Sequence, residues 1–220
     1  DSPDGGGVPL KATIGQILGS VLANPRLRWA ALTCVFASMV KDGLTLWAPT
    51  LLVDRLGLPV GSAALAATVL PLLGLSGSLL AGWASDRYFG SRESPGIIVL
   101  SLVIALAMVG FVLSGSSGAW ATILSIGLLG ACGVAVKGIN VLLLAAGPLS
   151  FGDGGHVAAV AGFLDFAAYV GGGISGVVVG QLLDGPGWNA AYGFWLGATL
   201  LSAAGAALLG KRTQAPSLAQ

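Results

Sequence analysis

Six runs of apolar residues, each about as long as a bilayer is thick, divide this chain. They cover Trp29–Leu52, Ser62–Trp83, Gly96–Gly115, Ala119–Leu144, Val157–Leu183 and Ala190–Gly210. A spanning helix needs about 20 mostly apolar residues. Backbone groups in lipid must bond within their own segment, so each run is expected to be a helix. The ten-residue alternation of an outer-membrane barrel is absent. The predicted fold class is an all-α membrane protein with six transmembrane helices. The expected organisation is a cytoplasmic linker with an interfacial helix over 1–28, a six-helix bundle over 29–210 and a cytoplasmic tail over 211–220.

Composition agrees. The chain is 55% hydrophobic and 9% charged, against about 25% charged in an average soluble domain. Its mean hydropathy is +0.90. So little charge could not cover a water-facing surface, and the lipid bilayer is the first partner expected. A net charge of +1 leaves no electrostatic footprint for a nucleic acid, and none is expected as a partner. Cys34 and Cys132 fall inside apolar runs with no His nearby. They read as small buried hydrophobes, and neither a metal site nor a cofactor is expected.

Loop charge predicts the orientation. Lys11, Arg26, Arg28, Arg87, Arg92, Lys211 and Arg212 lie on one side of the predicted spans, and only Arg55 lies on the other. The positive-inside rule then puts both termini in the cytoplasm, in a multi-pass inner-membrane protein. The chain opens on "DSPDGGG" rather than Met, and "KATIGQILGSVLANPRL" follows as a candidate interfacial helix. It is expected to begin within a longer protein.

"GLSGSLLAGWASD" (Gly74–Asp86) and "GISGVVVGQLLD" (Gly173–Asp184) resemble each other, about three spans apart. The second span therefore matches the fifth, and the six helices divide into two triplets. Three spans per repeat makes the repeats antiparallel, the inverted arrangement common in secondary transporters. The same glycines also suit close helix contacts of the small-xxx-small kind, as at Gly172, Gly176 and Gly180.

Charge at membrane depth is confined to three spans. Lys41 and Asp42 lie in the first, Lys137 in the fourth and Asp165 in the fifth. Each costs at least a few kcal/mol in lipid, so each is expected to face a cavity or a partner. At about 100° per residue, Ser38, Lys41, Asp42, Thr45 and Pro49 share one wedge of their helix. Gly130, Gly133, Lys137 and Asn140 share another, and Asp165, Tyr169, Gly172 and Gly176 a third. Three polar stripes could line one water-filled cavity. Lys41 and Asp42, adjacent in sequence, should diverge and pair poorly. Lys137 and Asp165 are expected to pair at similar depth. Spans three and six, which carry no charge, read as the lipid-facing supports.

These residues bear a family resemblance. "KDGLTLWAPTLL" followed by "GWASDRYFGSR" resembles the second half of a major facilitator superfamily transporter, and most resembles the organophosphate:inorganic phosphate antiporter branch. There a basic residue precedes a W-x-P-[ST] turn by six positions. Lys41, Trp47, Pro49 and Thr50 match that spacing. Gly82, Asp86, Arg87 and Arg92 match the superfamily's G-x-x-x-D-R loop. The resemblance runs from Asn24 to Leu209. It implies that Lys41 binds a substrate phosphate or other anion, and that Gly82, Asp86, Arg87 and Arg92 serve gating and helix packing. It also implies a missing N-terminal half of six helices as partner. Asp42, Lys137 and Asp165 match no feature of that branch.

The expected function is secondary active transport of a small organic anion by alternating access, with a phosphorylated metabolite exchanged for phosphate. The alternatives are a proton-coupled organic-anion symporter and a transporter-like sensor that binds without moving its ligand. The expected substrate-binding residues are Lys41, Ser38, Asp42, Thr45, Lys137, Asn140, Asp165 and Tyr169. No nucleophile–base constellation stands out, and an enzyme is not expected.

Overall fold

The computed structural model describes Gly19 and residues 23–90, 92–114, 118–146, 148 and 157–213. Within them every regular element is helical: α1 (Pro25–Leu56), α2 (Val60–Ala67), α3 (Val69–Tyr88), α4 (Glu93–Leu113), α5 (Ala119–Val141), α6 (Val157–Asp184) and α7 (Trp188–Thr213). A π turn, Leu142–Ala146, continues α5. Most of the expected interfacial helix and most of the C-terminal tail fall outside the described residues, and the last residues of that helix, from Pro25, already belong to α1.

Local sequence explains the boundaries. Asn24 caps α1 by accepting the Arg26 N–H at 3.0 Å, with Pro25 pre-set at the first turn. Gly57, at φ 64°, closes it in the left-handed region and donates to the Val53 carbonyl. The W-x-P-[ST] segment, expected as a turn, lies inside α1, which runs on through Pro49. Pro49 has no N–H, so the Thr45 carbonyl loses its usual donor. The second span is two helices meeting at Thr68, because Pro71 cannot donate back to Ala67. The Thr68 hydroxyl donates to the Leu65 carbonyl at 2.6 Å across this break.

Five segments are long and apolar enough to cross a membrane: Val60–Tyr88, Glu93–Leu113, Ala119–Ala145, Val157–Asp184 and Trp188–Lys211. Helix α1, with 32 residues, is roughly 48 Å long. Length is therefore not its obstacle. Lys41 and Asp42 at its centre, and charged residues at both ends, hold its apolarity down.

Two helix pairs pack most extensively, α3 with α5 and α1 with α6. Helix α7 joins α1 to α4, and α4 also packs on α5. Glycines make the two main pairs close. A Cβ on Gly171 would enter the Val35 backbone of α1, and one on Gly77 would enter the Val134 backbone of α5. Similarly, Gly43 admits the Ser175 hydroxyl and the Trp195 indole. Trp195 is fully buried and donates to Ser175 Oγ at 3.2 Å.

The uncharged third and sixth spans are not merely peripheral. Helix α4 does expose Ile98, Val99, Leu102, Leu106 and Val109, but it buries Ile97, Ile104, Met108 and Phe111. Helix α7 inserts Trp195, Ala198 and Thr199 into the core. A bulky residue at Ala198, only 4% exposed, should therefore be costly. We expect Ala198→Leu to destabilise the protein by about 1–3 kcal/mol. Thermal unfolding in detergent measures this, and an unchanged midpoint would place Ala198 at a lipid-facing position.

Candidate anion site between α1, α5 and α6

Helix α1 places Cys34, Ala37, Ser38 and Lys41 on one face. Opposite stand Val136 and Asn140 of α5, Leu143 and Leu144 of its π turn, and Ala168 of α6. Together they line a cavity of about 10 Å³. That is room for roughly one water. Its polar lining residues are Lys41, Ser38 and Asn140, set among apolar walls. Ser38 is buried and the Lys41 side chain is 18% exposed. A cation so placed attracts an anion more strongly than it would in water.

Lys41 and Asp42 do not diverge. Lys41 Nζ lies 3.2 Å from Asp42 Oδ1. Their Cα–Cβ bonds leave the helix about 100° apart, but the four-methylene lysine stem is long enough to swing back. The Asp42 side chain, 38% exposed, rests on Gly172 of α6, where a Cβ would come within 2.5 Å of Oδ2. Thr45 faces outward, and its hydroxyl donates to the Lys41 carbonyl at 2.7 Å. Neither Asp42 nor Thr45 lines the cavity.

The other predicted residues lie elsewhere. The stem of Lys137 covers Gly74 of α3. Asp165 and Tyr169 are exposed together on α6, Tyr169 at 72%. No ion pair joins Lys137 to Asp165, contrary to the sequence expectation. The reason is topological: α5 packs on α3, whereas α6 packs on α1 and meets the fourth span at its π turn. Neighbours in sequence need not be neighbours in space when about ten residues link them.

At the end of α3, Gly82 is half-buried, while Asp86, Arg87 and Arg92 are exposed. The Arg92 N–H donates to the Phe89 carbonyl at 3.2 Å, and the Ser85 hydroxyl to the Arg92 carbonyl at 3.4 Å. Beside them buried Glu93 pairs with Arg26 at 3.9 Å, tying the start of α4 to that of α1. Sequence reading counted Arg26 as loop charge alone. A carboxylate set directly before an apolar run was the available signal.

A second unforeseen cluster holds the opposite end. Arg55 donates to Tyr192 Oη at 3.2 Å, to the Phe111 carbonyl and to the Val112 carbonyl at 3.4 Å. Its guanidinium lies 5.5 Å from the Tyr192 ring centre. The Trp188 indole donates to Asp54 Oδ2 at 3.1 Å. Arg55 thus caps the last carbonyls of α4 and anchors α7 to α1. Arg55→Met should cost about 1–3 kcal/mol by removing the donor to Tyr192 and the Val112 carbonyl, while the Ser114 hydroxyl still serves the Phe111 carbonyl at 3.0 Å. A melting curve indistinguishable from wild type would show that the cluster adds nothing.

Residues 2–175 match the model of the Major Facilitator Superfamily. The chain belongs to that superfamily. Among its relatives are a glycerol-3-phosphate transporter of Bacillus subtilis, 26% identical over 82% of this chain and 40% of the relative, and a protein named "Probable hexose phosphate transport protein" from Chlamydia pneumoniae, 29% identical over 86% of this chain and 40% of the relative. The membrane sensor protein UhpC of Escherichia coli is 27% identical over 86% of this chain and 42% of its own length. The chain therefore spans about two fifths of the length of these relatives. They represent the organophosphate:phosphate antiporter branch, as the W-x-P-[ST] spacing from Lys41 implied.

Proposed function

We propose that this chain is the C-terminal six-helix half of a secondary active transporter. In this reading it binds a small organic phosphate, exchanges it for inorganic phosphate by alternating access, and uses Lys41 as its anion contact. The observation carrying the proposal is the placement of Lys41 with Ser38 and Asn140 in one cavity between three helices. Relatives named for glycerol 3-phosphate and hexose phosphate support the substrate class.

Packing supports α1 as a sixth span and supports the inverted repeat. Exchanging the first span for the fourth and the second for the fifth turns the α1–α6 contact into the α5–α3 contact. Residue contacts follow the same exchange. Asp42 over Gly172 becomes Lys137 over Gly74, and Gly43 against Ser175 becomes Gly138 against Gly77. This equates Gly74 with Gly172, one residue before the match suggested by sequence. Asp165 and Tyr169 are open on α6, and an aspartate facing lipid is costly. That face is accordingly assigned to the central pathway and to a preceding six-helix half, with both termini cytoplasmic by the loop charges. Asp86, Arg87 and Arg92, at the cytoplasmic end of α3 in that orientation, fit a gating loop.

The test is counterflow with the full-length protein in proteoliposomes. Labelled glycerol 3-phosphate should accumulate against internal phosphate. The UhpC relatives support a second reading, a sensor that keeps the site. Saturable binding without uptake would favour it, and absence of both would contradict a phosphate site.

A further inference from the structure

Asp42 presents a physical problem for any anion site built on Lys41. An acceptor sits 3.2 Å from the very cation that should receive the substrate. Its other oxygen lies over Gly172, where a Cβ would collide with it. The glycine thus leaves room on α6 for the carboxylate beside Lys41. Asp42 is also the more open of the two, at 38% against 18% side-chain exposure. It has somewhere to go if displaced, while Lys41 stays beside the cavity.

We propose that Asp42 is an internal counter-anion, which holds Lys41 while the site is empty and yields it to the substrate. The inference rests on Lys41 being the anion contact. An unpaired ammonium at this depth is costly, and a carboxylate on the next residue removes that cost between binding events. The substrate must then hold Lys41 better than a carboxylate does. A phosphate ester can, since it carries up to two negative charges and three strong acceptor oxygens against one charge and two oxygens. A monocarboxylate of similar size has no such advantage. The pair thus sets a threshold that admits phosphate-like dianions and turns away monocarboxylates. It also assists release, because the returning carboxylate competes with the departing anion.

The test is equilibrium binding of inorganic phosphate to the full-length protein and its variants. Asp42→Asn keeps the shape over Gly172 and removes the competitor. It should bind phosphate roughly three- to tenfold more tightly and release it more slowly, and glycerate binding should become measurable. Asp42→Glu, which restores a competing charge, should not tighten binding. In the unmutated protein, saturating phosphate should increase site-resolved carbodiimide labelling of Asp42, because the carboxylate has left its partner. Unchanged or weaker phosphate binding by Asp42→Asn, or labelling unmoved by phosphate, would overturn the counter-anion role. If Lys41→Gln abolishes binding in the same series, the anion contact stands and only this inference fails. If Lys41→Gln binds phosphate normally, the contact itself is wrong.

Discussion

Replacing Gly171 by leucine should separate α6 from α1 and abolish the folded bundle, whereas Gly173→Ala, two residues away, should be harmless. The difference follows from where each missing side chain would go. At Gly171 a Cβ alone enters the backbone of Val35, which no rotamer change can relieve. Overpacking usually costs 1–3 kcal/mol, and about that or more is expected where backbone is struck. The whole α1–α6 seam, including Asp42 on Gly172 and Ser175 on Gly43, would have to move with it. At Gly173 nothing lies within 4 Å of the added carbon, and alanine is the better helix former by roughly 1 kcal/mol. Size-exclusion profile and melting temperature in detergent read both outcomes. A well-folded Gly171→Leu protein would mean that α6 does not pack on α1 through this glycine.

That contrast also marks what the sequence could convey. The G-x-S-G repeat points to Gly173, where an added Cβ would meet nothing, whereas Gly172, named from the small-xxx-small spacing, does meet α1, and Gly171 beside it makes the closest approach. Periodicity reports which residues share a stripe, but not which stripe touches a given partner. Five spans were legible because apolar runs of membrane length have few alternative explanations. The break at Thr68 was in principle legible from Pro71, yet the apolar run conceals it. Lys41, Ser38 and Asn140, read from polar stripes on two helices, do meet at one cavity. The apolar part of that lining, Cys34, Leu143, Leu144 and Ala168, was not legible, since a lining leucine and a core leucine look alike in sequence. Lys137 and Asp165 share a depth in sequence, but depth does not fix a partner, and α5 and α6 pack on different helices. The Lys41–Asp42 pair is hidden in sequence because the directions of the two Cα–Cβ bonds diverge, and only the reach of the lysine stem closes it. Arg55 and Glu93 sit at span ends, where a charge ordinarily needs no explanation, and only the fold reveals the carbonyls and the arginine they serve.

Loss of the Lys41 charge is the second large effect expected. Lys41 is the cation of the cavity lining, and Ser38 and Asn140 offer neutral hydrogen bonds only. Removing one member of a charge pair in such a setting typically costs 2–5 kcal/mol, so anion affinity should fall about 30-fold or more. Stability should change less than affinity, because Asp42, the carboxylate left behind, is the more open member of the pair. Lys41→Arg keeps the charge but exchanges a point donor for a planar fork, and partial binding is expected. The measurement is calorimetric titration of the full-length Lys41→Gln protein with phosphate and with glycerol 3-phosphate, beside its thermal unfolding curve. The account predicts that binding is lost while the melting temperature holds. Normal binding with a lowered melting temperature would contradict it and make Lys41 a structural charge.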